Sequence, residues 1–381
     1  MIALKAIVHI MPDDKFIADF IRMSEKYTFA NSSYLVLCLN KPRFVKTKNK
    51  AVNYIPVDSD YALNESLVYN LNKCKVIILH SFNWMYINFI NKIDDDIKVI
   101  WIFWGVDGYN AIKKSKYLTM NSLAMQFANS PIGKLNFYAR LFLNNFLLEK
   151  HKASRKIIKR ADFCATFVKD DLYLAKQINP KIESLYFNYF NETGYKLLEA
   201  ENSRSSKGNI LLGNSANPTN DHSSALKHLL DINFKGKIYC PLSYSGSEAY
   251  INNVINYGKR SFGKSFIPIT EFLKYEEYSK IISDCDIVLM NHIRQQAVGN
   301  IFKSMCLLKP VILNKRSYLR STFLEWGIKI YDLDILNNQK LVKFSELTKN
   351  REIILKQLDE KNNFDFFDKI LEISKSNIVS L

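Results

Sequence analysis

The feature that most constrains the fold of this chain is a repeated alternation of short apolar runs with segments of helical spacing. In the first half the apolar runs are continuous and rich in β-branched residues, and they occupy 4–10, 33–39, 75–81, 98–104, 162–167 and 183–189. Such runs are typical of strands buried on both faces of a parallel sheet. The segments between them, such as 16–27 and 62–73, carry apolar residues at helical spacing. The alternation predicts a doubly wound α/β domain.

The same alternation restarts after a polar stretch rich in Ser and charge, 199–208, which we interpret as a linker. The apolar runs of the second half are 209–215, 237–244, 286–292 and 309–315. We therefore expect two doubly wound domains, 1–198 and 209–343. The final segment, 344–381, has helical spacing and could pack back on the first domain. Two such domains would bind ligands where the carboxyl ends of their strands face each other across a cleft.

The charge balance points to an anionic partner. The chain of 381 residues has 53 Lys and Arg against 37 Asp and Glu, a formal net charge of +16, which favours nucleic acid, an acidic membrane face or phosphorylated substrates. Between Ala111 and Arg160 there are eleven basic residues and one acid, Glu149. Leu, Phe and Met interleave with them, a mixture that suits an anionic bilayer surface better than a phosphate groove.

From this region we predict a membrane-facing set of basic residues: Lys113, Lys114, Lys116, Arg140, Lys152, Arg155, Lys156, Lys159 and Arg160. The segment 131–148 supplies apolar residues for the same surface. No apolar run reaches the roughly 18 residues that span a bilayer, and the apolar start lacks the features of a signal peptide. We expect a peripheral protein in the cytoplasm. The six cysteines are far apart and are expected to be buried and reduced.

Two strand-loop-helix segments of the second half carry the strongest functional signals. In 209–226 a strand ends in Gly213, Asn214 and Ser215, and Asn220 or Asp221 is predicted to cap the next helix, an arrangement that favours phosphate. In 286–315 a buried strand runs into five polar side chains, which are Asn291, His292, Arg294, Gln295 and Gln296. A guanidinium can contact a diphosphate through two nitrogens, and the amides can bind a base, a ribose or sugar hydroxyls.

Weaker signals come from a third loop and from the first domain. Tyr244 precedes a helix that opens at Glu248 and could stack on a base or a sugar. In the first domain four titratable groups lie in or after predicted strands, and we predict that one of them deprotonates or orients an acceptor hydroxyl: His9, Asp14, His80 and Asp107. Trp104, Gly105 and Tyr109 follow one of the same strands. The Asp-x-Asp triplets at 58–60, 284–286 and 332–334 occur in different settings, and we do not interpret them as metal sites.

The motifs of the second half, in their order, resemble the TDP-N-acetylfucosamine:lipid II N-acetylfucosaminyltransferases, enzymes of enterobacterial common antigen synthesis. The resemblance covers most of 71–110 and 160–331 and is strongest from Leu211 to Asn314. It rests on LLGNSANPTNDHSSALKHL, YSGSEAYINNV and RQQAVGNIFKSMCLLKPVILN, and in the first half on LHSFNWMYINFI and IFWGVDGYNA. It implies a GT-B glycosyltransferase that moves a 4-acetamido-4,6-dideoxyhexose from a dTDP-sugar to an undecaprenyl-diphosphate-linked saccharide.

The resemblance also implies which residues act. Together with the motif analysis it gives a set of donor-binding candidates: Gly213, Asn214, Ser215, Asn220, His222, Tyr244, Glu248, Tyr250, Arg294, Gln295, Gln296, Gly299 and Asn300. The front-domain matches are His80, Trp104, Gly105, Asp107 and Tyr109. No metal or other cofactor is expected, and the protein would act at the cytoplasmic face of the bacterial inner membrane.

Two departures from the family pattern leave other functions open. Residues 111–158 are longer and more basic than the family usually shows, and Lys303 stands where many retaining GT-B enzymes have a Glu. An O-antigen or capsule enzyme that uses another dTDP- or UDP-sugar is therefore an alternative. A basic protein that binds nucleic acid or a membrane without catalysis is a remoter one, and no RNA-binding or helix-turn-helix signature supports it.

Overall fold

In the computed structural model of the protein, the two alternations build two parallel sheets. The structure describes residues 3–376 apart from 15, 40, 46, 48, 59, 114–115, 128–146, 191–194, 196–207 and 338–341. The described residues divide into two units. The first comes from 1–112, 145–190 and 360–381, and the second from 113–144 and 191–359.

The first unit has a seven-stranded sheet among its described residues, in which all neighbouring strands are parallel. The strands are β1 Ile7–Pro12, β2 Ser32–Cys38, β3 Val52–Pro56, β4 Val76–His80, β5 Lys98–Ile102, β6 Phe163–Ala165 and β7 Glu183–Leu185. Its helices are α1 Ile17–Glu25, α2 Glu65–Leu71, α3 Ile87–Ile90, α4 Val106–Tyr109, α6 Leu147–Arg160, α7 Lys169–Ile178 and α14 Phe364–Ser376. Most inner strands carry apolar residues on both faces because helices cover both.

The second unit has a five-stranded parallel sheet among its described residues. Its strands are β8 Ile210–Leu212, β9 Ile238–Pro241, β10 Phe266–Ile269, β11 Ile287–Met290 and β12 Val311–Leu313. Its helices are α5 Met120–Phe127, α8 His222–Asp231, α9 Glu248–Phe262, α10 Tyr275–Asp284, α11 Val298–Cys306, α12 Leu319–Glu325 and α13 Phe344–Gln357. Ser247 caps α9 through a side chain that accepts a hydrogen bond from the Tyr250 N–H.

The strand orders show where each sheet is expected to bind a ligand. They are β3-β2-β1-β4-β5-β6-β7 and β10-β9-β8-β11-β12. In the first unit the winding direction reverses between β1 and β4, and in the second between β8 and β11. Open α/β sheets bind ligands outside the carboxyl ends of the strands at such a switch point. The fold therefore marks one candidate edge in each unit.

The unit boundaries differ from those that the sequence suggested. Helix α5 belongs to the second unit, because it packs against α8 and α9 and the Asn253 side chain donates to the Met125 carbonyl at 2.7 Å. Helix α13 also belongs there and packs on α11. Helix α14 lies in the first unit, where Phe366 and Phe367 join the core formed by Ile78 and Phe20. The predicted linker, 199–208, lies outside the described residues except for Gly208.

Three details of local structure were not anticipated. β3 and β10 were not predicted, because both lie at sheet edges, are partly exposed and contain Pro56 or Pro268, so neither forms a long apolar run. Asp221 occupies the N-cap position of α8 with a positive φ of 47°, but its side chain makes no capping bond. Asn217 instead caps the preceding turn by accepting from the Thr219 N–H. All six cysteines are buried and free, as expected.

Candidate functional site

The carboxyl edge of the second sheet gathers the polar residues of both second-half motifs. Asn214 and Ser215 follow β8, and Arg294 and Gln296 follow β11. β8 and β11 are hydrogen-bonded neighbours, and they flank the switch point of this sheet. Residues 80 positions apart in the sequence therefore meet at the place where a doubly wound fold binds its ligand.

Gly213 lets the chain turn tightly at the end of β8. Its φ is +69°, and a Cβ built there would lie 2.9 Å from the His222 Nε2 and 3.1 Å from the Asn220 Oδ1. An L side chain would be strained in this conformation and would also press on these two groups. The glycine therefore holds the loop close to the start of α8, where backbone N–H groups and the helix dipole favour an anion.

Gln296 links the two loops through its amide. The amide nitrogen donates to the Asn220 Oδ1 at 3.0 Å and to the Asn214 Oδ1 at 3.3 Å, while its oxygen accepts from the Thr219 hydroxyl at 2.6 Å. Asn214 in turn donates to the Tyr244 hydroxyl at 3.0 Å. This network fixes the orientation of the amides at the sheet edge, as a ligand site requires.

Arg294 supplies the positive charge of this edge. It is 8% exposed, and its Nε donates to the Thr219 hydroxyl at 3.2 Å while one terminal nitrogen donates to the Gln295 carbonyl at 3.1 Å. Burial, with the Arg294 charge as a smaller cause, lowers the pKa of the neighbouring His292 to about 3. His292 is therefore neutral at pH 7. A buried guanidinium held in place in this way is suited to neutralising phosphate oxygens.

His222 and Tyr250 lie behind the network. Both are buried, and the His222 Nδ1 is 2.9 Å from the Tyr250 hydroxyl. Burial lowers the pKa of His222 to about 3, so it is uncharged at pH 7. These two candidates hold α8 against α9 and support the polar edge from inside the unit.

The remaining donor-binding candidates lie around the network. Glu248 is exposed in the first turn of α9, and Tyr244 is 48% exposed. Gly299 and Asn300 belong to the first turn of α11, where the Asn300 amide donates to the Tyr278 hydroxyl at 3.1 Å. Gln295 is buried beside Arg294.

Sequence reasoning missed several members of this edge. Thr219 connects Arg294 to Gln296 and was not singled out. Asn314 follows β12 and donates to the Asn291 Oδ1 at 3.0 Å, and Asn291 donates to the Asp221 carbonyl at 3.1 Å. Polar residues at strand ends were a usable signal for Asn314, as they were for Asn291.

The segment before α5 also reaches this part of the second unit. Tyr117 is buried and lies close enough to Arg294 for that charge to act on its hydroxyl, and the Ser122 hydroxyl donates to the Pro218 carbonyl. No local sequence pattern indicated this packing, because Tyr117 and Ser122 stand far before the loops that they contact.

In the first unit the predicted acid-base groups have different surroundings. His9 and His80 are fully buried on the neighbouring strands β1 and β4. Asp107 is 1% exposed and accepts from the Trp101 indole nitrogen at 2.7 Å and from the Trp104 N–H at 3.3 Å. Burial raises its pKa, and these hydrogen bonds oppose the rise. Asp107 is therefore held by Trp101 on β5, by backbone groups of the turn and helix that follow, and by Ser81, which follows β4.

Asp14 is the part-exposed member of the four predicted acid-base groups. It follows β1 and accepts from the Phe16 N–H at 3.2 Å. Asp13 points instead to the 43–45 backbone, where it accepts from Phe44 and Val45. Of the three other residues predicted for this region, Trp104 is part-buried, Gly105 has a φ of +117°, and Tyr109 is buried and donates to Asp171 at 2.5 Å.

The predicted membrane set is spread over both units. Lys114, Arg140 and most of 131–148 lie outside the described residues. Lys113 and Lys116 belong to the second unit, and the others lie on α6, where Lys152, Lys156 and Lys159 are exposed. No helix in the described part of the chain is long and apolar enough to cross a membrane. The described residues also contain no group of three or more His, Cys, Asp or Glu side chains that could hold a metal ion.

Comparison with known proteins gives a family and a fold. The family model described as 4-alpha-L-fucosyltransferase, glycosyl transferase group 56, matches residues 154–370. The crystal structure of Anabaena Alr3699/HepE in complex with UDP-glucose is similar at a TM-score of 0.65 and 9% identity, over 96% of this chain and 99% of that chain.

Two further solved structures agree. An alpha,alpha-trehalose-phosphate synthase (UDP-forming) from Burkholderia vietnamiensis has a TM-score of 0.59 at 8% identity, over 96% of this chain and 99% of that chain. TarM has a TM-score of 0.54 at 12% identity over 82% of this chain, which spans 57% of TarM's length. At these identities the likeness shows the fold, which is that of GT-B glycosyltransferases.

Proposed function

This chain belongs to the 4-alpha-L-fucosyltransferase family, glycosyl transferase group 56, and is a GT-B glycosyltransferase; from that premise we propose that it moves a 4-acetamido-4,6-dideoxyhexose from a dTDP-sugar to an undecaprenyl-diphosphate-linked saccharide. The second unit would bind the donor and the first unit the acceptor. The product would be a lipid-linked glycan for a bacterial surface polysaccharide such as enterobacterial common antigen.

The observation that carries the donor assignment is the joined network at the β8 and β11 ends. Gln296 and Asn220 present oriented amides, and Arg294 adds a buried positive charge beside them. A nucleoside diphosphate sugar needs both kinds of group, because its diphosphate is anionic and its base, ribose and sugar are read by hydrogen bonds. Similar folds described with UDP or UDP-glucose support this ligand class.

In the reaction Arg294 would neutralise charge on the diphosphate as the glycosidic bond breaks. Backbone N–H groups near Ser215 and at the start of α11 would share this charge, since helix N-termini favour anions. Groups fixed before the reaction stabilise charge that develops in the transition state without costly reorganisation. We therefore expect transfer to need no metal ion.

On the acceptor side we assign Asp14 as the group that deprotonates or orients the attacking hydroxyl. It is the part-exposed member of the four predicted groups and lies at the carboxyl edge of the first sheet. His9, His80 and Asp107 are buried, and they would support the site from the interior of the unit. A positioned carboxylate can supply general base catalysis at this step.

A lipid-linked acceptor keeps its diphosphate at the bilayer surface, so the enzyme is expected to dock peripherally on the cytoplasmic face of the inner membrane. The exposed Lys152, Lys156 and Lys159 of α6 offer a basic face for an anionic leaflet, at about 1 kcal/mol for each residue near the surface. Their replacement by Gln should weaken pelleting with anionic vesicles, and the binding should fall with salt.

The matched control replaces Lys235, Lys237 and Lys264 by Gln, three exposed lysines of the second unit. Transfer to a water-soluble acceptor should survive in both triple variants. Salt-insensitive vesicle binding, or an equal effect of the two triple variants, would contradict docking through α6.

The donor proposal is tested with a panel of dTDP- and UDP-sugars read out by thermal unfolding. A ligand at 100 times its Kd stabilises the folded state by about 2.7 kcal/mol, so the true donor should raise the unfolding midpoint most. Stabilisation by UDP-sugars alone would favour an O-antigen or capsule enzyme instead. Stabilisation by DNA or RNA, with none by any nucleotide sugar, would support the non-catalytic alternative and end the proposal.

A further inference from the structure

The switch point of the first sheet is occupied by a chain of three polar side chains inside an aromatic core. The His9 Nδ1 lies 3.0 Å from the His80 Nε2, and the His80 Nδ1 forms a short hydrogen bond with the Tyr189 hydroxyl. His9 and His80 are on β1 and β4, the strands between which the winding reverses, and Tyr189 follows β7. The chain of contacts runs from the buried interior to a part-exposed tyrosine at the carboxyl edge.

Aromatic packing holds both imidazole rings in place. His9 stacks on Tyr34 with ring centroids 4.9 Å apart, and His80 meets the edge of Phe20 at 4.2 Å. Both histidines are fully buried, and burial lowers the pKa of each, to about 3 for His9. Each ring is therefore neutral at pH 7 and has a proton on one of its two nitrogens. The tautomers of the two histidines thus decide the direction of the hydrogen bonds from His9 to Tyr189.

The free end of the chain decides between the two directions. The His9 Nε2 is buried and has no hydrogen-bond partner among the described residues. If the tyrosine donated to His80 and His80 to His9, the His9 Nε2 would carry a proton and be a buried donor without an acceptor. If the hydrogen bonds run outward, from His9 to the tyrosine, the His9 Nε2 carries only a lone pair, which costs less to leave unpaired than a buried N–H. The outward direction is favoured: His9 donates to His80, and His80 donates to Tyr189.

The geometry points to a role for Tyr189 as a hydrogen-bond donor to a saccharide, in which the oxygen accepts from His80 and the hydroxyl proton faces the ligand. The Tyr189 hydroxyl hydrogen-bonds to His80, and no described residue accepts its proton. This assignment rests on the proposed transfer to a saccharide. It makes Tyr189 a positioning residue for a hydroxyl or acetamido oxygen of the acceptor, and the two histidines set the direction of its proton.

The surroundings of Tyr189 suit a sugar ring. Trp104 meets it edge-on with centroids 5.3 Å apart, and Phe16 lies 6.4 Å away. The Trp104 Nε1 lies near the same phenol, but it makes no hydrogen bond of acceptable geometry with any described residue. Asp14 acts electrostatically on Tyr189 and is part-exposed. Binding sites combine aromatic surfaces with a few placed polar groups, and this edge has both.

The direction of the hydrogen bonds from His9 to Tyr189 can be measured without any ligand. The protein has six histidines, and labelling them with ¹⁵N lets long-range ¹H–¹⁵N spectra report which ring nitrogen carries each proton. Both rings of the pair should be protonated on Nδ1 at pH 7, and Tyr189→Phe should shift the His80 signals and so identify them. A proton on the Nε2 of His9 or His80 would mean that the tyrosine donates inward, and would overturn the assignment.

The ligand class is tested with methyl β-glucoside and methyl N-acetyl-β-glucosaminide as simple probes. Binding is followed by the ¹³Cζ signals of labelled tyrosine, and Tyr189 should respond. Tyr189→Phe should weaken binding about two- to tenfold, as expected for one neutral hydrogen bond. Tyr34→Phe is the matched control, because its hydroxyl contacts Ser24 inside the same core, and it should bind the probes like wild type. Equal binding by Tyr189→Phe, or no binding of either probe to wild type, would overturn the saccharide role.

The same variants separate this inference from the donor proposal. Nucleotide-sugar binding depends on the second unit and should be unchanged in Tyr189→Phe. If the tautomers are reversed while nucleotide-sugar binding persists, only the Tyr189 role fails. If no nucleotide sugar binds to wild type, the proposed function fails, whereas the tautomer result stands by itself.

Discussion

The two sheets have the same winding, but their switch points are built from different chemistry. Between β8 and β11 the second unit places amides, hydroxyls and the Arg294 guanidinium in a continuous network. Between β1 and β4 the first unit places two neutral histidines among aromatic rings. The topology selects the edge at which a ligand is expected, but the side chains at that edge select the ligand. The second edge suits an anionic nucleotide, and the first suits an uncharged ring.

The largest effect is expected at Asp14, which we propose acts on the acceptor hydroxyl. Asp14→Asn should lower turnover by about 10²- to 10⁴-fold, the range typical of a lost general base, and leave donor binding unchanged. Its neighbour Asp13 is the control, because its carboxylate holds the 43–45 backbone. Asp13→Asn should lower the unfolding temperature and largely spare turnover of the folded enzyme. Steady-state kinetics and thermal unfolding on the same samples measure both.

Asp107→Asn sharpens the same assignment. The Asn side-chain oxygen can still accept from the Trp101 indole, whose bond to Asp107 measures 2.7 Å, so we expect a change mainly in stability. Wild-type turnover in both Asp14→Asn and Asp107→Asn would place the base elsewhere or show that the mechanism needs none.

Arg294→Ala should produce the next largest effect, about a 100-fold loss of turnover, as for other single electrostatic contacts to a transition state. Arg316→Ala is the control, since Arg316 is exposed in the same unit and donates to the Lys116 carbonyl at 3.4 Å. Transfer assays with and without EDTA complete the test. Full activity of Arg294→Ala, or complete dependence of wild type on Mg²⁺, would contradict the role of this charge.

Gly213→Ala is expected to weaken donor binding about tenfold, which corresponds to about 1.4 kcal/mol. The new Cβ would sit 2.9 Å from the His222 Nε2 and displace Asn220. Gly208→Ala is the matched control, because Gly208 has nearly the same φ, +66°, with nothing within 4 Å of a Cβ. Both variants share the backbone strain, so the difference in nucleotide-sugar Kd isolates the contact with the network. Equal Kd values in the two variants would show that the loop tolerates this contact.

The two units should also respond to pH in different ranges. In the second unit Lys303 is 4% exposed, and burial lowers its pKa to about 8. The unfolded chain, with a Lys pKa of about 10.4, then binds more protons between these values. The free energy of unfolding should therefore rise with pH from about 8 to 10, by roughly 1 to 3 kcal/mol.

Lys303→Met should remove this rise, and urea unfolding at pH 7 to 10 tests it. An identical alkaline rise in wild type and Lys303→Met would assign the rise to another group.

In the first unit His9 has an effect of the same sign, but in an acid range. Its folded pKa of about 3 lies below the unfolded value of 6.5, so its contribution to stability is complete above pH 6.5 and is lost as the pH falls below that value.

Sequence periodicity determined most of the architecture. Continuous apolar runs identified the inner strands of both sheets, because strands buried on both faces must be apolar throughout. The polar residues placed at the ends of β8 and β11 also came from the sequence, because a polar loop directly after a core strand has few structural uses. Gly213, Asn214, Arg294 and Gln296 were found in this way, and the family followed from the same motifs.

Only the tertiary structure decided which of these groups meet and which way they face. Helix α5 belongs to the second unit although it lies within the first half of the chain, and no local pattern encodes a contact between Tyr117 and the β11 loop. Likewise, His9 and Asp14 look similar in the sequence, since both are titratable groups in or just after one predicted strand. Burial separates them, because β1 is covered on both faces and encloses His9, whereas Asp14 lies beyond the end of the strand at Pro12 and is part-exposed. The sequence determines the elements and their chemistry, whereas long-range packing determines exposure, partners and protonation.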